Sequence, residues 1–219
     1  MGSTALAISG DKIPAHINLQ STRGNENVGN NVEIPRIKLL QKMNKEVDEH
    51  SAEYVEGAKA GLFMNSVTGE MCKKLYCLSV TVKSEWAVWL DRNAGKGNRL
   101  LGKFDSAIAA REAINNDANP LDWVTTEQDV HLLLIKDEKT GAITPATMEF
   151  ANTKLRVSRS WNSQIGMKGG DRFSALWEVS PRSVENAKGS YLNLDITCMG
   201  WAQSEDHAIA EKLYSQYSA

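Results

Sequence analysis

Two stretches of the chain mix basic and aromatic side chains closely enough to suggest one kind of chemistry. Trp86, Trp89, Arg92, Lys96 and Arg99 form the first, and Lys154, Arg156, Arg159, Trp161, Lys168 and Arg172 the second. A groove of lysine and arginine tracks phosphates, and an aromatic face stacks on any base, so a sequence-tolerant binder of single strands needs both kinds of residue together. Large aromatics also dominate cores, and Trp161 and Trp177 fall on packing stripes. Trp89, Tyr191 and Trp201 are therefore the expected stacking platforms. With Arg92, Lys96, Arg99, Lys154, Arg156, Arg159, Lys168 and Arg172 they make up the candidate nucleic-acid-binding set. The bland reading of the same cations is a solvated surface.

Other chemistries find little footing. His16, His50, His131 and His207 are scattered, and Cys72, Cys77 and Cys198 lack zinc spacing, so neither a metal nor a catalytic nucleophile is expected. The glycine-rich Ala94 to Arg99 has no hydroxyl after its lysine, unlike a phosphate-cradling P-loop. Adjacent carboxylates such as Asp48 and Glu49 lie in a hydrophilic stretch, where nothing drives their pKa values apart for acid–base work. No enzyme and no cofactor is expected. The odd cysteine count suits reduced thiols, and no window approaches the roughly 20 apolar residues of a membrane span, so a soluble cytoplasmic protein is expected. The formal net charge of -2 does not itself suggest a nucleic-acid binder. The acidic Glu46, Asp48, Glu49, Glu53 and Glu56 are clustered, however, which leaves the remainder more basic than the sum implies.

The elements that must position these residues can be read from periodicity. On a helix from Asn152 to Ile165, Val157, Trp161 and Ile165 share a stripe with Leu155 and Ser158 beside them, while Arg156, Arg159 and Ser163 lie opposite. Phe173, Ala175, Trp177 and Val179 alternate within Arg172 to Ser180, and Leu192, Leu194, Ile196 and Cys198 within Tyr191 to Trp201. The polar Pro181 to Ser190 should join these runs as an antiparallel pair.

Upstream, Ile37 and Leu39 alternate with Arg36 and Lys38 behind Pro35. The Thr68-Gly69 turn predicts that Leu62 to Met64 and Leu75 to Lys83 are neighbouring strands. Glu85 to Leu90 continues as strand, Asp91 to Lys103 reads as loop, and Asp105 or Ser106 caps a helix to about Ile114. Val130 to Lys136 and Ile143 to Phe150 flank a turn at Asp137 to Gly141. The terminal helix offers Ala208, Ile209, Leu213 and Tyr217 as contacts.

These elements predict a mainly β fold with short helices: an OB-fold-like curved antiparallel barrel, with a helix between strands and a C-terminal helix. A different α+β sheet is the alternative. Residues 1–33, rich in Ser, Gly and Asn, read as a disordered arm; 34–202 form the domain and 203–219 the terminal helix.

Ile34 to Gln41, Gly61 to Glu70, Leu155 to Asn162 and the closing Gly200-Trp201 resemble a family of tailed-phage single-stranded DNA-binding, helix-destabilising proteins. The resemblance spans residues 34–202 in separated blocks. It implies an OB-fold and a role in coating or annealing single strands during phage replication or recombination. Single-stranded DNA is then the partner, alongside a homodimer mate or phage or host replication proteins. Such proteins often end in a strongly acidic tail, whereas Gln203 to Ala219 is only a mild helix-like segment. The rival reading is a phage protein that binds and inhibits a host polymerase, nuclease or defence factor without nucleic acid.

Overall fold

The structure, a computed structural model, describes residue 23 and residues 33–94, 99–186 and 189–217. Its strands are β1 (Arg36–Leu39), β2 (Phe63–Asn65), β3 (Met71–Cys72), β4 (Leu75–Leu90), β5 (Leu100–Phe104), β6 (Trp123–Lys136), β7 (Ile143–Ala151), β8 (Ala175–Asn186) and β9 (Gly189–Trp201). Its α-helices are α1 (Ala107–Asn115), α2 (Leu155–Lys168) and α3 (Ser204–Tyr217). The strands form one curled half-barrel sheet in the order β3-β2-β1-β7-β6-β4-β8-β9, with β5 also paired to β4. β1 and β7 run parallel, and the other pairs are antiparallel. The mainly β fold with short helices stands as expected.

β4, β6 and β7 form a meander; α2 follows, and then the β8–β9 hairpin, whose first strand lies on the free edge of β4. The β4–β6 register shifts between Ser79 and Thr81, leaving Val80 as the extra residue that bends the strand. Both faces of this region are buried. On the inner face, Cys77, Leu133, Met148 and Phe150 pack against Trp161 and Ile165 of α2, together with Trp177 and Val179 of β8. On the outer face, Leu78, Val80, Leu132 and Leu134 pack with Phe173 and with Ala210 of α3. Past the bulge, β4, β5 and β6 extend as an arm, where Val88, Leu90 and Trp123 receive Ala110 of α1. Ser106 starts that helix as expected, its hydroxyl accepting from Ala109 N at 3.1 Å.

The curl is drawn together by a side chain. Gln41 Nε2 donates to Leu192 O at 2.9 Å, and its Oε1 accepts from Leu192 N at 3.1 Å. That pair of hydrogen bonds takes the place of a ladder pair between the end of β1 and β9, the strand at the edge of the sheet.

Several expectations need correction. Leu62 to Met64 does not neighbour Leu75 to Lys83: β2 pairs with β1 and β3, so the Thr68-Gly69 turn closes the short β2–β3 hairpin instead. The expected Asp91 to Lys103 loop contains most of β5, and Val130 to Lys136 is only the second half of β6. β8 and β9 run on through the expected polar connection to Asn186 and Gly189, because cross-strand pairing outweighs its low apolar content. Cys198 is exposed and Asn193 buried, the reverse of their expected burial, although the register keeps Asn193 on the face of Tyr191 and Cys198 opposite Trp177. On α3, Ala208, Ile209 and Tyr217 are exposed, and Ala210 and Leu213 make the contacts. The arm expected over 1–33 lies outside the described residues except at 23 and 33. None of the described helices is long and apolar enough to cross a membrane.

Candidate functional site

α2 presents the two faces that its spacing predicts. Ser158, Trp161 and Ile165 are buried and Val157 packs partly against them, while Arg156, Arg159 and Ser163 are exposed. Trp161 is fully buried, stacked on His131 at 4.7 Å with ring planes 6° apart, and edge-on to Trp177 at 6.0 Å. Both tryptophans are core, not platform.

A chain of buried polar groups fixes this helix to the sheet. Arg172 Nη2 lies 3.3 Å from His131 Nδ1 and can only donate, so Nδ1 accepts and Nε2 carries the proton. Nε2 then donates to Ser158 Oγ at 2.8 Å, and that hydroxyl donates to Asp129 Oδ2 at 2.6 Å. Ser84 donates to Asp129 Oδ1 at 2.6 Å. At the other end Arg172 Nε donates to Ser79 Oγ at 2.9 Å and Nη2 to Asn162 Oδ1 at 2.6 Å. Burial first, and the Arg172 charge second, push His131 down to about 3, so the imidazole is neutral. Burial likewise lowers Arg172 to about 10. Arg172 is thus half-buried and committed to the interior.

Between α2 and the hairpin runs a cleft of about 600 Å³. Thr153, Arg156, Ser160 and Gln164 line it from the helix side, Arg182 and Val184 from β8, and Tyr191, Asn193 and Asp195 from β9. Helical spacing puts the first group on one ridge, and strand alternation puts Arg182 beside Tyr191 through the register Arg182↔Asn193 and Val184↔Tyr191. Neither Arg156 nor Arg182 has an ion-pair or hydrogen-bond partner among the described residues. A second cleft, about 450 Å³, shares Thr153 and Tyr191 with the first and adds Arg36, Lys38, Glu149 and Lys154. Tyr191 stands between the two.

The structure brings Lys154, Arg156 and Tyr191 together and distributes the other candidates elsewhere. Arg159 is exposed but paired with Glu127 at 3.0 Å. Lys168 lies at the far end of α2, its Nζ 3.9 Å from the ring centroid of Trp201, which is 63% exposed. Trp89 is half-buried on the arm, opposite Leu100 and Val124, and the Arg99 guanidinium sits 5.9 Å from the Trp123 ring. Arg92 begins a short 3-10 turn, and Lys96 lies outside the described residues. Arg182, Arg36 and Lys38 joined the clefts without being singled out. Arg182 fell in a segment expected to be a connection, whereas Arg36 and Lys38 occupy the outward positions of an alternating strand, a signal that would have found them.

The outer face of the sheet is cationic too, but its charges are paired. Lys103 Nζ reaches Glu85 and Glu149, each at 2.8 Å, and Arg36 approaches Glu149 at 3.6 Å. Gln128 Nε2 donates to the same Glu85 oxygen at 2.6 Å. Burial works to lower the Lys103 pKa, but the two carboxylates more than offset it and hold the group above the ordinary lysine range. Among the described residues no group of His, Cys, Asp and Glu is placed to hold a metal.

The arrangement defines a mainly β domain whose curled sheet, lodged helix and terminal hairpin frame a cationic cleft around one tyrosine. The model of the Pam3 phage gp34-like protein family matches residues 6–219, and the chain belongs to that phage protein family. No curated protein and no solved structure matches it.

Proposed function

We propose that this protein is a sequence-tolerant binder of single-stranded DNA, acting in phage DNA replication or recombination, on a barrel of OB type. The observation that carries this reading is the first cleft, where the unpaired Arg156 and Arg182 flank Tyr191. Cations without carboxylate partners are free to exchange counterions for phosphates, and a ring beside them gives a base a stacking surface. The connectivity supports the OB reading: a three-strand meander, a helix, and a hairpin returning to the first strand. In such barrels the second and third strands and the loops joining strands one to two and four to five hold oligonucleotides. Here those strands would be β6 and β7. The first loop carries Arg92, Lys96 and Arg99, and Tyr191 lies just past the second.

The test is a titration of the full chain with oligo-dT and oligo-dA over a range of salt. Unmodified protein should retard both, and the paired change Arg156→Glu and Arg182→Glu should weaken both by about 100-fold at low salt, with the slope of log affinity against log salt flatter by roughly 0.7 per phosphate no longer neutralised. The exposed positions predict an unchanged melting temperature. Failure of the unmodified protein to retard a long oligonucleotide at low salt would replace this reading with the host-protein one. For that partner the exposed Met167, Met199 and Trp201, near the junction of α2 and β9, are the fitting surface.

A further inference from the structure

The second cleft is smaller than the first and is lined by three cationic side chains where the first has two. Lys154 is half-buried there and has no carboxylate or hydrogen-bond partner among the described residues. Burial first, and the neighbouring Lys38 charge second, hold its pKa below the ordinary lysine range. Removing an ammonium from water beside a second cation costs free energy unless an anion compensates. The nearby carboxylates do not serve it: Glu46 holds Lys38 at 2.6 Å, and Glu149 is shared by Arg36 at 3.6 Å and Lys103 at 2.8 Å. Of the three cationic side chains in the cleft, Lys38 is thus held by Glu46 and Arg36 faces Glu149, so Lys154 is the one left without a carboxylate, with the ring of Tyr191 at the boundary with the first cleft.

We propose that this second cleft is a phosphomonoester pocket, in which Lys154, with Lys38 and Arg36, takes the terminal phosphate of a nucleotide whose base lies against Tyr191. The proposal deepens the single-strand reading and rests on it for the strand that continues into the first cleft, but the pocket itself needs only one nucleotide. A phosphomonoester carries up to two negative charges where an internal phosphodiester carries one, so the terminal group can compensate Lys154 and still compete with Glu46 and Glu149 for Lys38 and Arg36. The same chemistry is offered by a 5′-phosphorylated strand end, a 3′-phosphorylated end and a free nucleotide.

The experiment titrates the full chain with dT20 bearing a 5′-phosphate, a 3′-phosphate or hydroxyls at both ends, and separately with dTMP and thymidine. One phosphorylated end should bind about tenfold more tightly than the hydroxyl-ended strand, and which end it is identifies the source. Lys154→Gln should bring that ratio to near one, and Lys154→Arg should keep most of it; thermal melts of both variants confirm folding. Equal affinity for all three strands, or a preference that survives in Lys154→Gln, overturns the pocket while leaving the single-strand reading intact. If no strand binds, the single-strand reading falls and the mononucleotides decide: dTMP bound in preference to thymidine, and lost in Lys154→Gln, upholds the pocket, and binding of neither overturns it.

Discussion

The same strands carry two polar networks, one on each face, and the two are built for opposite purposes. Ser84 and Asp129 point inward with His131, Ser158 and Arg172, whereas their chain neighbours Glu85 and Gln128 point outward with Lys103, Glu149 and Arg36. Inside, Asp129, His131 and Ser158 are buried, and the donors and acceptors match in sequence along the chain. Outside, Gln128 and Glu85 are largely covered, but the Arg36 side chain is 54% exposed, and its pairing with Glu149 is an ion pair that water or another anion can replace. Strand alternation alone separates a fixed brace for α2 from an exchangeable charge lattice beside the clefts. A cation count cannot make that distinction, since Arg172 and Lys103 are equally charged and neither is as available as Arg156.

Breaking the inner network should have the largest effect. Ser158→Ala leaves Asp129 Oδ2 and His131 Nε2 without their partners, and should cost about 3 kcal/mol in denaturant-unfolding stability. A loss below about 1 kcal/mol would mean that water serves both groups and that the brace is incidental.

The pH dependence comes next. His131 is lowered to about 3 when folded, against an ordinary value of 6.5, so its contribution is full above pH 6.5 and is lost as pH falls towards 3. The unfolded chain takes up a proton that the folded one refuses, and between pH 7 and pH 5 the loss should be about 2 kcal/mol. Stability measured across that window should fall with decreasing pH, and His131→Gln should flatten the slope. A slope that remains after the substitution would assign it to other groups.

The two networks also explain what could be read from the sequence. α2 was legible because its stripe recurs at helical spacing over a single face, and Trp161 was correctly expected in the core. The central strands were harder, since Cys77 to Val80 and His131 to Leu134 are buried on both faces and alternation is erased there. β2 was given the wrong neighbour because pairing between strands is not a local property; nothing near Thr68-Gly69 says that Met71-Cys72 completes the hairpin. The inner network joins residues from Ser79 to Arg172 without any short spacing, so no motif announced it. In the cleft, Arg156 and Tyr191 were visible as residue types, but Arg182 was hidden by a polar segment that became strand only through its partner.

The smallest expected effect on stability sharpens the comparison most, because it asks whether the outer lattice withholds cations from a ligand. Glu149→Gln removes one of the two carboxylates that hold Lys103 and the one that faces Arg36, while Glu85 still holds Lys103 at 2.8 Å. Such surface pairs contribute about 0–1 kcal/mol, so the melting temperature should barely move. Two cations near the second cleft would then be less neutralised. Affinity for oligo-dT should rise about threefold at low salt, and the salt slope should steepen by up to roughly 0.7 for each further phosphate neutralised. The increase should vanish at high salt, where exposed charges are screened. Unchanged affinity and slope would show that the outer face lies off the strand's path and confine binding to the cleft of Arg156, Arg182 and Tyr191. A fall in affinity would mean instead that Glu149 orients Arg36 and Lys103 for the strand, making the outer network part of the site.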